Sequence, residues 1–230
     1  MDFFEGMWTF FTTENYMNIV WEGLQVTLLI SIAATLLGLL LGTIVALVNL
    51  APKSVALFIP KLLCKVYVTV IRGTPMALQL FIMINVIFAI RGFPVMVTAI
   101  IAFGVNSGAY VAENIRAGIL SVDIGQTEAG RALGLSSATT MIRIVIPQAI
   151  KNVIPTIGNE IIALIKETSI VSMVGMFDLT NAAKIIGGGN NMASYLVPMS
   201  AVALFYLVIV YALTFVIKII ERRLRAGDKR

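Results

Sequence analysis

The residues best placed to do chemistry are few, and each interrupts sequence that is otherwise apolar. Arg72-Gly73-Thr74-Pro75 breaks one long hydrophobic stretch, Asn106 and Ser107 lie deep in a second, and Glu160 and Glu167 fall within a third. Proline after a glycine suits the start of a helix and disrupts its interior, so the first group predicts a broken helix. Its second half would begin with unpaired N–H groups at the positive end of a helix dipole, an arrangement suited to a bound carboxylate. Arg72 adds a formal charge there and Thr74 a hydroxyl. The competing use is structural: Arg72 neutralises an internal acid or reaches the surface, and the break only bends the helix.

Glu160 falls about 12 residues into its segment, roughly 18 Å along a helix axis. A carboxylate at that depth in a hydrocarbon phase costs about 2.5–3.5 kcal/mol, so it requires a partner. A ligand ammonium meets that need, and so does Arg72 or another basic side chain. Glu167, seven residues on, shares roughly the same face and suits an entrance that attracts cations. Asn106 and Ser107 offer neutral hydrogen bonds, with helix packing as their alternative use. Glu113 and Arg116 are three apart and pair most simply with each other. Asp178 is expected to be a solvated loop acid, or to receive a soluble partner or a cation.

Other chemistry is removed by absence. The chain has no histidine and one cysteine, Cys64, which excludes disulfides, histidine metal sites and histidine general bases, and no metal site is expected. No G-x-x-x-x-G-K-[ST] loop occurs, so ATP is not held by that device.

The elements that must position these residues are membrane helices. Of 230 residues, 59% are hydrophobic and 13% charged, far from the composition of a soluble domain. Mean hydropathy is +0.95. Residues 23–52, 92–112 and 185–217 are uncharged runs of 30, 21 and 33 residues, where about 20 cross a bilayer. The predicted fold class is all-α, a polytopic bundle of five spans near 23–50, 55–90 with its internal break, 93–118, 149–171 and 194–220. Residues 1–230 read as a single domain, with a cytoplasmic coupling loop over 119–147.

Charge sets the orientation. Residues 1–22 carry four acids and no cation, which is not the basic start of a cleavable signal. Their Phe3, Phe4, Met7, Trp8 and Phe11 share a face, predicting a short helix in the membrane interface. Lys218, Arg222, Arg223, Arg225, Lys229 and Arg230 cluster at the other end. The N-terminus is therefore expected outside and the C-terminus in the cytoplasm. Lys53, Lys61, Lys65, Arg116, Arg131, Arg143 and Lys151 fall on the cytoplasmic side, leaving Arg91 and Lys184 outside. A net charge of +5 reflects this bias, not nucleic-acid binding.

Two connections are polar. Residues 172–192, ending in Gly187-Gly188-Gly189-Asn190-Asn191, read as a flexible loop or lid. In residues 119–147, Glu128 to Gly134 should form a helix that stops at the glycine, and Ser136 or Ser137 should cap a second helix running toward Pro147. Met141, Ile142, Ile144, Val145 and Ile146 give it an apolar surface, and a short helix so presented fits a groove on a soluble partner. Gly38/Gly42 and Gly104/Gly108 favour close helix packing within the chain over a dimer seam.

The run Glu128-Ala129-Gly130, three residues, Gly134, nine residues, Ile144-Val145-Ile146-Pro147 resembles the E-A-A, G, I-x-L-P signature of permease subunits of binding-protein-dependent ABC importers. Gly130 stands where that signature has its second alanine, and Ile146 where it has leucine. Residues 71–80 and 158–172 are similar to stretches of the polar amino acid permeases of that family, the group serving histidine, arginine and glutamine.

The resemblance implies an importer of polar or basic amino acids working by alternating access in a prokaryotic inner membrane, with no enzymatic activity in this chain. Implied partners are two cytoplasmic ATP-binding subunits, a second permease copy or close relative, an external amino-acid-binding protein and the bilayer. ATP and magnesium would be bound by the ATPase partner and no cofactor by this chain. Substrate contacts are then expected from Arg72, Gly73, Thr74, Pro75, Asn106, Glu160 and Glu167. Coupling to the ATPase is expected from Glu128, Ala129, Gly130, Arg131, Gly134, Arg143 and Pro147. An ion-coupled secondary amino acid transporter is the alternative, since broken helices and buried acids also mark that class, but it leaves residues 119–147 without a use.

Overall fold

Thirty uncharged residues in a row leave the backbone only itself to hydrogen-bond with, and in the computed structural model all of them up to Leu50 lie in one continuous helix. The structure describes residues 2–52, 54–188 and 194–226. Lys53, Lys229, Arg230 and Gly189-Asn190-Asn191, used in the sequence reading, lie outside them. All regular structure among the described residues is helical: α1 Phe3–Thr12, α2 Glu14–Leu50, α3 Phe58–Arg72, α4 Met76–Ile82, α5 Val95–Leu120, α6 Ile124–Ala132, α7 Ser137–Thr140, α8 Ile146–Glu167, α9 Leu179–Gly188 and α10 Leu196–Arg225. Helices α2, α5 and α10 are long and apolar enough to cross a membrane.

The packing divides into two units. The first comprises Met1–Leu36, Thr74–Gly104 and Ile162–Leu213; the second comprises Leu37–Gly73, Val105–Ile161 and Thr214–Arg230. In the first, Ile30 and Ala34 of α2 pack with Met76 and Leu80 of α4 and with Ala102 and Phe103 of α5. A second cluster joins Phe10, Tyr16 and Val20 to Leu179, Ala183 and Ile186 of α9 and to Ala201 and Val202 of α10. In the second unit α2 and α5 meet through glycines. A Cβ on Gly38 would stand 2.8 Å from Ser107 Cβ, and one on Gly42 2.6 Å from Val111 Cβ, so these glycines serve packing within the chain.

Along α2 the exposed residues Leu29, Ile32, Leu36, Leu40, Ile44 and Leu47 form one apolar stripe, while Val20, Thr27, Ser31 and Ala34 are buried. Small and polar side chains inward with large apolar ones outward is the pattern of a helix in lipid. Helix α1 behaves similarly: Asp2 and Glu5 form a capping box at its start, and Phe3, Phe4, Trp8 and Phe11 are exposed.

Three elements depart from the sequence reading. The helix carrying the first predicted span begins at Glu14, not near residue 23, because Tyr16 and Val20 are drawn into the cluster around Phe10, while the expected short N-terminal helix runs over Phe3–Thr12. The connection at 172–192 is mostly helical over its described part, since Leu179 to Gly188 form a helix in which Leu179, Ala182, Ala183 and Ile186 are buried, and only residues 175–178 are irregular. The helix capped by Ser136 does not stop near Pro147 but runs on into α8. Met141–Val145 form a wide π turn, with the Ile146 N–H bonded to the Met141 carbonyl. That turn immediately precedes Pro147, whose missing N–H and bulky ring would otherwise break the helix.

Candidate functional site

The predicted break is present. Helix α3 ends at Arg72, the Gly73 N–H bonds the Thr69 carbonyl at 3.0 Å, and α4 starts after Pro75, whose φ of −65° and ψ of 137° turn the chain out of the helix. Thr74 is held by Gln79, whose amide nitrogen donates to the threonine hydroxyl at 2.8 Å and to its carbonyl at 3.1 Å. Gln79 was missed in the sequence, although its spacing of five from Thr74 places it one turn into α4.

Arg72 and Gly73 belong to the second unit, Thr74 and Pro75 to the first. In the second unit Arg72 lies with its guanidinium 5.3 Å from the centre of the Tyr110 ring and 3.8 Å from Glu113. Glu113 also accepts from both nitrogens of the Arg116 fork, at 2.8 and 2.5 Å. The expected Glu113–Arg116 pair therefore exists and is widened to include Arg72. Arg72 is 40% exposed, so the pair holds its orientation while contributing little to stability. Its planar charge can still meet a ligand carboxylate.

Asn106 and Ser107 are buried in α5. Glu160 is half-buried in α8, five residues beyond Pro155, and Glu167 ends that helix in an exposed position. Asn106 and Glu160 belong to the second unit and Glu167 to the first. Within the second unit, Asn152 donates to Ser121 at 2.8 Å and Gln148 to Gln126 at 3.2 Å, fastening α8 to the segment before and within α6.

Asp178 corrects the sequence reading. It is fully buried and caps α9, accepting from the Asn181 N–H at 2.8 Å and the Thr180 N–H at 3.0 Å. Burial pushes its carboxyl above the ordinary aspartate range, and the capping bonds oppose that shift. Nearby, the Leu179 N–H donates to Thr27 of α2 at 3.1 Å, Thr180 shares a hydrogen bond with Tyr206 of α10, and Lys184 donates to Ser172. A single acid thus orients α9 by satisfying its orphan N–H groups.

The segment resembling the permease signature folds as two capped helices. Asp123 caps α6, accepting from the Gly125 N–H at 2.7 Å, and Ser136 caps α7 through the Thr139 N–H at 3.1 Å. Gly134 between them has φ of +79°, and the Leu135 N–H closes back on the Gly130 carbonyl at 3.1 Å, a left-handed helix stop. Arg131 donates to the Leu135 carbonyl at 2.7 Å and stiffens the corner. Glu128, Ala129, Arg131, Gly134, Arg143 and Pro147 are exposed; Gly130 is buried. Leu133 is 81% exposed and Ile142 62%, so the corner presents large apolar side chains beside charged ones. Such a surface fits a partner's groove.

Gly130 explains its own departure from the signature. A Cβ there would stand 2.7 Å from Thr140 Cγ2 and 3.1 Å from Ile144 Cδ1. Thr140 fills the space that an alanine would need.

Comparison with known proteins agrees with this architecture. Residues 38–226 match the family described as "Binding-protein-dependent transport system inner membrane component". The putative glutamine transport system permease protein of Rickettsia typhi is 40% identical over 206 residues, 88% of this chain and 91% of that protein. The arginine transport system permease protein of Bacillus subtilis is 37% identical, with 95% and 98% covered. Among solved structures, an amino acid ABC transporter crystallised with histidines superposes with a TM-score of 0.84 at 38% identity, covering 93% of this chain and 98% of the other. The methionine ABC transporter in an inward-facing form shares the fold, with a TM-score of 0.75 at 21% identity, covering 93% and 99%. The chain belongs to the family of inner membrane components of binding-protein-dependent transport systems.

Proposed function

We propose that this chain is the membrane subunit of an ATP-driven importer of polar or basic amino acids. The names of its relatives support the substrate class, glutamine and arginine among them. The observation that carries the coupling assignment is the rigid corner at α6 and α7, double-capped and turned at Gly134, with Leu133 and Ile142 exposed. It serves as the handle gripped by a separate ATPase.

In this reading residues 1–230 form one permease domain with five spans, the N-terminus outside and the C-terminus cytoplasmic. Two copies, or this chain and a close relative, enclose the path. Two cytoplasmic subunits bind ATP and magnesium, and an external protein delivers the amino acid. Arg72, with Gly73, Thr74 and Pro75 shaping the break, meets the substrate carboxylate; Glu160 meets the ammonium, Asn106 adds a neutral hydrogen bond, and Glu167 attracts cations to the entrance. Closure of the ATPase subunits moves α6 and α7, and the covalent continuity of α7 with α8 carries that motion toward Glu160.

The test is ATPase stimulation of the reconstituted complex across a panel of amino acids, with and without binding protein. Stimulation by polar or basic amino acids is expected. Glu128→Ala and Leu133→Asp should abolish transport while the assembled pore survives gel filtration. Unaltered substrate-stimulated ATP turnover in both variants contradicts the coupling assignment, and uptake that persists without any ATPase contradicts the importer.

A further inference from the structure

The second unit contains a cavity of about 720 Å3 whose charged lining is Lys61, Lys65, Arg72, Arg116 and Glu113. Four cations thus face one carboxylate. Glu113 is already engaged by Arg116 at 2.8 Å and by Arg72 at 3.8 Å, which leaves the two lysines without an acid. Lys61 donates to the Ala51 carbonyl, and Lys65 has no acidic partner among the described residues. Lysines on the cytoplasmic side of a membrane protein attract anionic headgroups when no acid of the chain neutralises them.

The same lysines line a second feature. An apolar groove of about 790 Å3, walled by Val55, Phe58, Ile59 and Leu62, also includes Lys61 and Lys65. Val55 is 95% exposed and Phe58 67%, in a chain whose family resides in membranes. Lys61 and Lys65 are one turn apart on α3, and both line both spaces. A small soluble anion would use the cavity and leave the groove bare. A cationic cavity joined to an apolar groove through two shared lysines suits an anion that carries a hydrocarbon chain, and basic pockets between membrane helices recognise anionic headgroups in this way.

We propose that Lys61 and Lys65 hold the phosphate of an anionic phospholipid, its headgroup in the cavity and one acyl chain along Phe58, Ile59 and Leu62. The site is independent of which solute is carried. The lysines, not Arg72, define it.

The test uses the permease with its ATPase subunits, delipidated and then equilibrated with equal phosphatidylglycerol and phosphatidylcholine of identical chains. Retained lipid is read by native mass spectrometry. Wild type should prefer phosphatidylglycerol by about 30-fold, the effect of two lysines near an anionic headgroup. The Lys61→Gln/Lys65→Gln variant should show no preference, and the Lys61→Arg/Lys65→Arg variant should keep it, which separates loss of charge from loss of fold. Millimolar inorganic phosphate should fail to displace the lipid. Equal retention of the two lipids by wild type overturns the proposal, as does an unchanged preference in the glutamine variant. Displacement by inorganic phosphate or by the transported amino acid also overturns it, assigning the cavity to a soluble anion or to the substrate.

Discussion

Replacing Gly130 by alanine restores the signature residue and yet should harm this protein. On helix propensity alone, Gly130→Ala should stabilise α6 by about 1 kcal/mol. The added methyl, however, would stand 2.7 Å from Thr140 Cγ2, 3.0 Å from Thr140 Oγ1 and 3.1 Å from Ile144 Cδ1. Thr140 is fully buried and β-branched, so it cannot swing aside without leaving its rotamer. Overpacking of this kind costs about 1–3 kcal/mol, which leaves a net loss of about 1 kcal/mol. Removing the opposing methyl should reverse the sign. Thr140→Ala also deletes a buried hydroxyl that lacks a hydrogen-bond partner, so alone it should change stability by less than about 1 kcal/mol. In the double variant the alanine methyl occupies the vacated space and the propensity gain emerges. The pair should therefore couple by about 2 kcal/mol, well above the roughly 0.5 kcal/mol of independent sites. Thermal unfolding of the purified complex measures all four species, with substrate-stimulated ATPase activity read in parallel. Additive effects, or a Gly130→Ala variant as stable as wild type, would refute the argument that Thr140 replaces the alanine of the signature.

Other perturbations separate the roles of the remaining residues. Gly134→Ala places a side chain at a φ of +79°, which costs about 1–2 kcal/mol, and should depress coupled ATPase activity, whereas Gly134→Asn should retain most of it. Asp178→Ala should lower stability by about 1–2 kcal/mol through loss of the α9 cap, as followed by thermal unfolding. Because burial raises the Asp178 carboxyl above its unfolded value, its protonation favours the folded state. The stability of wild type relative to Asp178→Asn should accordingly be greatest below the ordinary aspartate range, fall as pH rises through the raised value, and stay level above it. Arg72→Lys keeps the charge but loses the flat guanidinium over Tyr110; stability should change by less than about 1 kcal/mol while amino acid uptake falls at least about tenfold. Uptake equal to wild type would return Arg72 to a structural role.

The sequence by itself determined the all-helical architecture, since long uncharged runs leave no other way to satisfy a backbone in lipid. It also determined the break at Gly73–Pro75 and the corner at Gly134 and Ser136, because proline, a left-handed glycine and a capping serine act within one turn of the chain and need nothing distant. Glu113–Arg116 was readable for the same reason. The tertiary structure decided what depends on neighbours far along the chain. Arg72 joins that pair because α3 lies beside α5 in the second unit, and no spacing rule connects residues 72 and 113. Asp178 looks like a solvated loop acid until α9 is seen packed on Tyr16 and Val20, which buries the acid and makes a helix of a glycine-ended connection. The sequence reading carries a helix toward Pro147, and only the structure shows that α7 continues through a π turn into α8. Gly130 shows the division within one residue: its helix propensity is local and visible, while the threonine that forbids its replacement stands ten positions away, brought there by the turn between the two helices.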